Sequence, residues 1–382
     1  MSSLLDVYKK LDVEVEKADG KYIWDTEGKR YTDFLSGISV TNLGHLNGKV
    51  KDRVSGAMES YMHVSNLYRE PMQEELAEKL SERTFGGKVF FSNSGTEANE
   101  TAVKVARKYF EGEKYEVITL KDSFHGRSLA MLSATGQGKF REGFGPGIEG
   151  FQHCDFNFLA SVEEKISRKT CAVMVEVIQG EGGVNVGDED FITGLRNICD
   201  EKGILLIVDE IQTGIGRTGT FWGYEHYGIC PDIITSAKAL GGGLPLGATV
   251  LNREVAECMK HGDHGSTFGG NPLSCAASLA VLSQIDEAML ERVKETGEYL
   301  KKSLLSISRY YDKVKEVRGR GLMVAIELEN GGNSLLSFLI EKGFIVGCSK
   351  GRVIRFLPPF IIEKKDIDEI TEVIGGYFKE RE

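Results

Sequence analysis

No two of the seven cysteines form a CxxC pair; they lie scattered from Cys154 to Cys348. An odd, widely spaced set argues against a disulfide scaffold and is expected of reduced thiols in a cytoplasmic protein. No apolar run approaches the length of a membrane-spanning helix. The first twenty residues alternate polar and apolar side chains, so neither a signal peptide nor an anchor is expected there. Basic excess is missing too. Lys and Arg number 47 against 57 Asp and Glu, for a net charge of -10. This argues against a nucleic-acid partner, and an anionic substrate would need individual arginines to hold it. The GxxxxGK loop is absent, as is a GxGxxG fingerprint after a first strand, which removes the usual nucleotide-binding signatures. Short repeats and low-complexity tracts are absent as well.

What remains is an ordinary globular composition, 41% hydrophobic and 27% charged, over 382 residues. That length suggests two or three structural units. From Lys88 onward strands and helices alternate. VFFS leads into a helix with Ala98, Ala102, Val105 and Ala106 on one face. Tyr115 to Leu120, Ala172 to Ile178, Ile204 to Val208 and Asp232 to Thr235 read as further strands, with Phe191 to Glu201 helical between two of them. Such alternation predicts an α/β fold, a mainly parallel sheet flanked by helices, with chemistry at the carboxyl ends of the strands. The tail changes style after Asn271-Pro272 and reads as a smaller α+β unit. The expected division is 1–43, a segment packing with the small unit, 44–270, the large unit, and 271–382, the small one.

The polar clusters fall at strand ends. Ser94, Gly95, Thr96 and Glu97 open a helix with a capping-box pattern, a place where free N–H groups bind phosphate. It could equally be a plain cap. Asp209 and Glu210 follow a buried apolar run, so one or both should face a cation. Lys238 follows a short strand and precedes three glycines. Such a lysine either points to solvent or reacts with an aldehyde. Phe124, Gly126 and Arg127 share one tight loop able to stack on a planar ring and hold a carboxylate. Ser266 and Thr267 lie in a glycine-rich loop before a helix, where nearby His261, Asp263 and His264 fit no helical zinc spacing, so no metal is expected. Glu181 and Arg355 are charges beside apolar segments.

In order, these segments are SGTEA, FHGR, QGEGG, DE-IQ-G-GRTG, TSAK with GGG, STFGGNP and RGRGL. The set resembles the fold type I pyridoxal-phosphate enzymes, in particular the class III (ω-amino) aminotransferases, over nearly the whole chain. The resemblance implies pyridoxal 5'-phosphate as cofactor, with Lys238 condensing with its aldehyde and moving protons. Asp209 would face the pyridine nitrogen and Gln212 the ring hydroxyl. Ser94, Gly95 and Thr96 would lie at the phosphate, and Phe124 would stack on the ring. Thr267 would reach the phosphate of a neighbouring subunit, implying a homodimer with shared sites. Arg127 and Ser266 would hold an acylated amino acid. Arg355 would grip an α-carboxylate and Glu181 would pair with it when that carboxylate is absent. The FHGRS and HGSTFGGNPL segments are closest to members that use N2-acetylornithine and 2-oxoglutarate. Acyl-lysine, carrier-bound lysine, succinylornithine, ornithine and 4-aminobutyrate are the alternative donors. One departure stands at Gly44-His45-Leu46-Asn47, where the class often carries His-Pro, at the start of a helix.

Overall fold

The computed structural model describes residues 3–308 and 311–381. Its centre is a seven-stranded sheet in the order Lys88–Ser92, Gly247–Leu251, Ile233–Ser236, Leu205–Asp209, Thr170–Val175, Glu116–Leu120, Phe151–Cys154. Every strand runs the same way except Gly247–Leu251, which is antiparallel to both neighbours. Helices cover both faces, so each central strand buries alternate residues in opposite directions. Leu205, Ile207 and Ile233 pack with Ala102, Val105 and Ala106 of the Gly95–Tyr109 helix. Leu206, Val208 and Ile234 pack on the other side with Phe191, Ile192 and Leu195 of the Glu189–Lys202 helix. This is why these strands read as unbroken apolar runs.

One of the predicted strands differs in detail. The strand expected from Ala172 to Ile178 ends at Val175, and Ile178–Gln179 pairs instead with Asn185–Val186 in a separate hairpin. The break falls at Glu176, whose carboxylate accepts from the N–H groups of Phe124 (2.9 Å) and Gly180 (3.3 Å). At the His-Pro departure, Asn47 caps the Gly48–Met58 helix by accepting from Val50 N–H.

A second, antiparallel sheet holds Val314–Arg320, Met323–Leu328, Val353–Phe356 and Gly347–Ser349. The Glu287–Ser308 and Lys364–Lys379 helices pack together, and Glu287–Ser308 lies on this sheet. A third sheet joins the N-terminal strands Val15–Asp19, Tyr22–Asp25 and Arg30–Asp33 to Phe344–Ile345. The N-terminal segment is therefore paired with the far end of the chain. Just after it, Ser36, Gly37, Ile38 and Ser39 all have φ between 45° and 64°. They form a left-handed helical turn, closed by Val40 N–H donating to Ser36 C=O. For non-glycine residues that conformation costs about 1–2 kcal/mol each. Among the described residues no single helix is long and apolar enough to cross a membrane.

Close approach fixes one residue of the second unit. Gly297 lies inside the Glu287–Ser308 helix, where alanine normally stabilises. Here an added Cβ would stand 2.0 Å from the Gly321 carbonyl oxygen. Gly297→Ala is therefore expected to destabilise by roughly 1–3 kcal/mol, the overpacking range. Chemical denaturation checks this by a lowered midpoint.

Candidate active site

A cavity of about 380 Å³ opens at the carboxyl rim of the large sheet. Five consecutive strand ends in the sheet, with the start of the reversed strand, deliver its walls. Residues 93–96 follow Lys88–Ser92, and 124–126 follow Glu116–Leu120. Glu176, Asp209 with Gln212, and Ala237 with Lys238 come from the next three. Residues 243–246 enter just ahead of Gly247–Leu251, because that strand is reversed.

Asp209 is the last residue of its strand and is buried. Its Oδ2 accepts from Asn99 Nδ2 and pairs with His125 Nδ1, both at 2.8 Å, and Oδ1 accepts from Ile211 N–H. Burial works against a proton on His125, but the hydrogen bond and charge of Asp209 outweigh it and raise the imidazole above its ordinary range. Glu210 behaves otherwise. Among the described residues it faces no cation; its carboxylate accepts from Thr213 Oγ1 and the N–H groups of Gly223 and Tyr224. Of the two carboxylates, only Asp209 lines the cavity.

Lys238 has φ +48, a left-handed value that strains a residue with a side chain. Burial pulls its amine below the usual lysine range, against the attraction of Glu181 and Asp209. Its amine has no hydrogen bond or ion pair among the described residues. The turn it begins, Lys238–Gly241, ends at Gly242 in the left-handed region.

The Gly95–Tyr109 helix points its start into the same space. Ser94 caps it, its Oγ accepting from Glu97 N–H at 3.2 Å. The reciprocal half of the box is shifted by one residue: the Glu97 carboxylate accepts from Asn93 N–H rather than from Ser94. The first N–H groups, those of Gly95 and Thr96, have no acceptor within a helix. Gln212 Oε1 is buried and unpartnered. The Gly180 backbone approaches that amide so closely that a Cβ would stand 1.8 Å from Oε1, so a larger residue would displace the Gln212 side chain.

Glu181 and Arg355 meet across the cavity wall, Oε1 to Nη1 at 2.7 Å, and Nη1 also donates to Gly180 C=O. Burial pushes Glu181 upward, but Arg355 more than offsets it and holds the carboxyl below its ordinary range. Arg127 is exposed, its guanidinium 3.9 Å from the centre of the Phe140 ring and 5.5 Å from that of Phe124. The structure therefore brings Ser94, Gly95, Thr96, Phe124, Glu181, Asp209, Gln212 and Lys238 to one cavity, with Arg355 behind Glu181. Ser266 stands at the edge, its Oγ accepting from Asn93 Nδ2 and Gly269 N–H. Thr267 is exposed and does not line the cavity of its own chain.

Sequence reasoning missed four residues here: Asn99, His125, Glu176 and Val40. Asn99 lies one turn into the helix that Ser94 caps, and His125 sits inside FHGR, so both were within sight. Glu176 is a carboxylate inside the apolar run AVMVEVI, and burial pushes it upward. Val40 carries no chemical signal.

A buried lysine, a carboxylate held by imidazole and amide, a helix start and an aromatic ring thus lie together at one rim. The chain belongs to the class-III aminotransferases, whose family profile matches residues 6–377. It is 45% identical over 384 residues to the acetylornithine aminotransferase of Caldanaerobacter subterraneus subsp. tengcongensis, covering 99% of this chain and 97% of that one. It is 46% identical over 378 residues to the acetylornithine aminotransferase of Aquifex aeolicus, covering 98% and 99%. Among solved structures it is similar to the ornithine aminotransferase of Toxoplasma gondii ME49, with TM-score 0.94 and 32% identity over 98% of this chain and 92% of that one. A further structure of the Toxoplasma enzyme contains PLP at partial occupancy in its active site.

Glu210 gives a stability signature separate from the cavity. Burial raises it from 4.5 to about 7. The folded state thus holds this proton more tightly than the unfolded chain. Its contribution to stability is present below pH 4.5 and lost as pH rises through about 7. The full loss is roughly 3 kcal/mol. Glu210→Gln is expected to flatten this segment, seen as a smaller difference between urea denaturation at pH 5 and pH 8.

Proposed function

We propose that this chain transfers the ω-amino group of N2-acetyl-L-ornithine to 2-oxoglutarate, giving N-acetyl-L-glutamate 5-semialdehyde and L-glutamate, a step of arginine biosynthesis. The observation that carries the reading is the buried Arg355 held by Glu181 beside Lys238. An enzyme that alternates between an ω-amine and an α-keto acid needs an arginine that is neutralised for one substrate and free for the other. The acetylornithine aminotransferases that resemble this chain at 45–46% identity support the choice of donor.

The residues present fit pyridoxal 5'-phosphate. The unpartnered Gln212 Oε1, the helix start and the buried Lys238 amine, which has no hydrogen bond among the described residues, are what its ring hydroxyl, phosphate and aldehyde require. When bound, this cofactor supplies an electron-poor ring that takes up the electrons left when a bond to the substrate's reacting carbon breaks. Gly95 and Thr96, with the hydroxyls of Ser94 and Thr96, hold its phosphate. Phe124 covers the ring, and Asp209, kept in place by Asn99 and His125, keeps the ring nitrogen protonated. Lys238, biased toward the neutral amine by burial, takes the proton from the reacting carbon and returns it. In the donor half, Arg127 and Ser266 bind the acylated end and Glu181 neutralises Arg355. In the acceptor half, Glu181 moves aside and Arg355 binds the α-carboxylate of 2-oxoglutarate.

The cavity then belongs to a cofactor-holding unit, 44–270, while the smaller one, 271–382 with 1–43, adds Val40 to its lining and Arg355 behind Glu181. The same reading makes the enzyme a cytoplasmic homodimer with shared sites. Thr267 is exposed and does not line its own cavity, and the neighbouring Met62, Leu67, Tyr68 and Phe268 are exposed apolar side chains suited to a partner. All seven cysteines are free.

A donor panel of N-acetylornithine, succinylornithine, ornithine, acyl-lysine and 4-aminobutyrate with 2-oxoglutarate tests the proposal, and preference for any other donor overturns it. Lys238→Ala is expected to lower turnover about 10³-fold; full turnover in that variant contradicts its role. Arg127→Ala is expected to raise the KM for N-acetylornithine more than that for 2-oxoglutarate, and equal effects in steady-state kinetics count against it.

A further inference from the structure

Arg217 is wholly buried in the middle of the molecule. Among the described residues its hydrogen-bond partners include no carboxylate, and burial pulls its pKa down to about 9. Its guanidinium is nevertheless saturated with neutral acceptors drawn from three separate stretches of chain. Nη1 donates to the carbonyls of Leu322 (2.9 Å) and Pro358 (2.7 Å), at the edges of the second sheet. Nε donates to Ser39 Oγ at 2.8 Å, and Nη2 to Ser36 Oγ and Asn42 Oδ1. Three of its five bonds thus go to the left-handed turn and the residues just past it.

That turn is the most strained backbone near the cavity, with three non-glycine residues at positive φ in succession around Gly37. Strain of this kind persists only where surrounding contacts over-determine it. Asp33 holds the entry, its Oδ1 accepting from the N–H groups of Leu35 and Ser36. At the exit Arg217 acts together with Phe360 N–H, which donates to Asn42 C=O at 2.7 Å, while Ser36 Oγ donates to Leu357 C=O at 2.6 Å. Asn42 presents Oδ1 to the guanidinium and leaves its own Nδ2 buried without a partner, so the arginine dictates how that amide sits. The next side chain after the turn, Val40, lines the same cavity as Lys238.

We propose that Arg217 is a positioning residue: its guanidinium clasps the turn Ser36–Ser39 to the second sheet and thereby sets the Val40 wall against which the amino donor binds. Arg217 touches neither substrate nor cofactor in this scheme. Its effect on binding passes through the turn, and it rests on the donor assignment above only for the choice of substrate.

The test uses the cofactor-loaded enzyme. Ser39→Ala and Asn42→Ala each remove one acceptor and leave the arginine in place. Arg217→Lys keeps a charge that cannot span three segments. Each variant is expected to speed hydrogen exchange of peptides covering residues 34–44 at least tenfold over wild type, with the rest of the chain unchanged. KM for N-acetylornithine is expected to rise fivefold or more while kcat stays within about twofold. Adding Ile38→Gly, which relieves the left-handed strain, should slow the exchange of these peptides again. Should Arg217→Lys fail to fold, the two acceptor variants still decide. Unchanged exchange at 34–44, acceleration spread evenly over the chain, or a fall in kcat with KM untouched overturns the proposal. Exchange does not depend on the donor. If wild type fails to use N-acetylornithine, the functional reading falls while the clasp is still tested.

Discussion

The carboxylate of Asp209 ends a strand buried on both faces, and it is stable there because an amide and an imidazole meet it. Asn99 comes from the helix after the first strand of the sheet and His125 from the loop after another. One anion therefore ties three neighbouring parts of the rim together. Move any of them and the charge loses a partner in surroundings where an unpaired carboxylate is expensive. The positions of Phe124, one residue before His125, and of the helix start, one turn before Asn99, follow from this anchoring. The cavity is shaped by the needs of a buried charge before any ligand enters it.

Two buried arginines show different solutions to the same problem. Arg355 is met by a carboxylate, Glu181, on a short hairpin of its own. A pair of that kind can open, because each ion can find a substitute in a substrate or in water. Arg217 is met by two backbone carbonyls on separate segments and by two hydroxyls and an amide of the stretch 36–42. Nothing mobile compensates it, so it stays. The protein thus carries one arginine suited to exchange and one suited to permanence, about the same cavity. Their difference lies in the partner, not in the side chain.

The fold was largely legible because strands buried on both faces leave unbroken apolar runs, and because helix starts announce themselves by caps. Ser94 and the alanine stripe after it were readable for that reason. Asp209 and Lys238 were readable as charges where charges are unfavourable. Glu210 misled, since a carboxylate after an apolar run looks the same whether an imidazole or backbone N–H groups receive it. Only the loop of residues 213–224 returning over it decides. The left-handed turn at Ser36–Ser39 was illegible, as three of its four residues have no preference for positive φ. Tertiary contacts impose it. Arg217 was visible only as a letter in GRTG, because its partners are 105 to 181 residues away.

The single reversed strand, Gly247–Leu251, has a consequence for how this chain can vary in length. By turning back, it brings both ends of the segment from Ala237 to Leu246 to the chemical rim. Inserting or deleting a residue there would shift Lys238 against everything it faces. The opposite rim carries no such restriction. Residues 111–113, which lead into Glu116–Leu120, are exposed and touch none of the cavity walls. The sheet is in effect a molecule with a fixed side and a free side. Lineage-specific insertions, fusion partners or new chain ends have room on the free one.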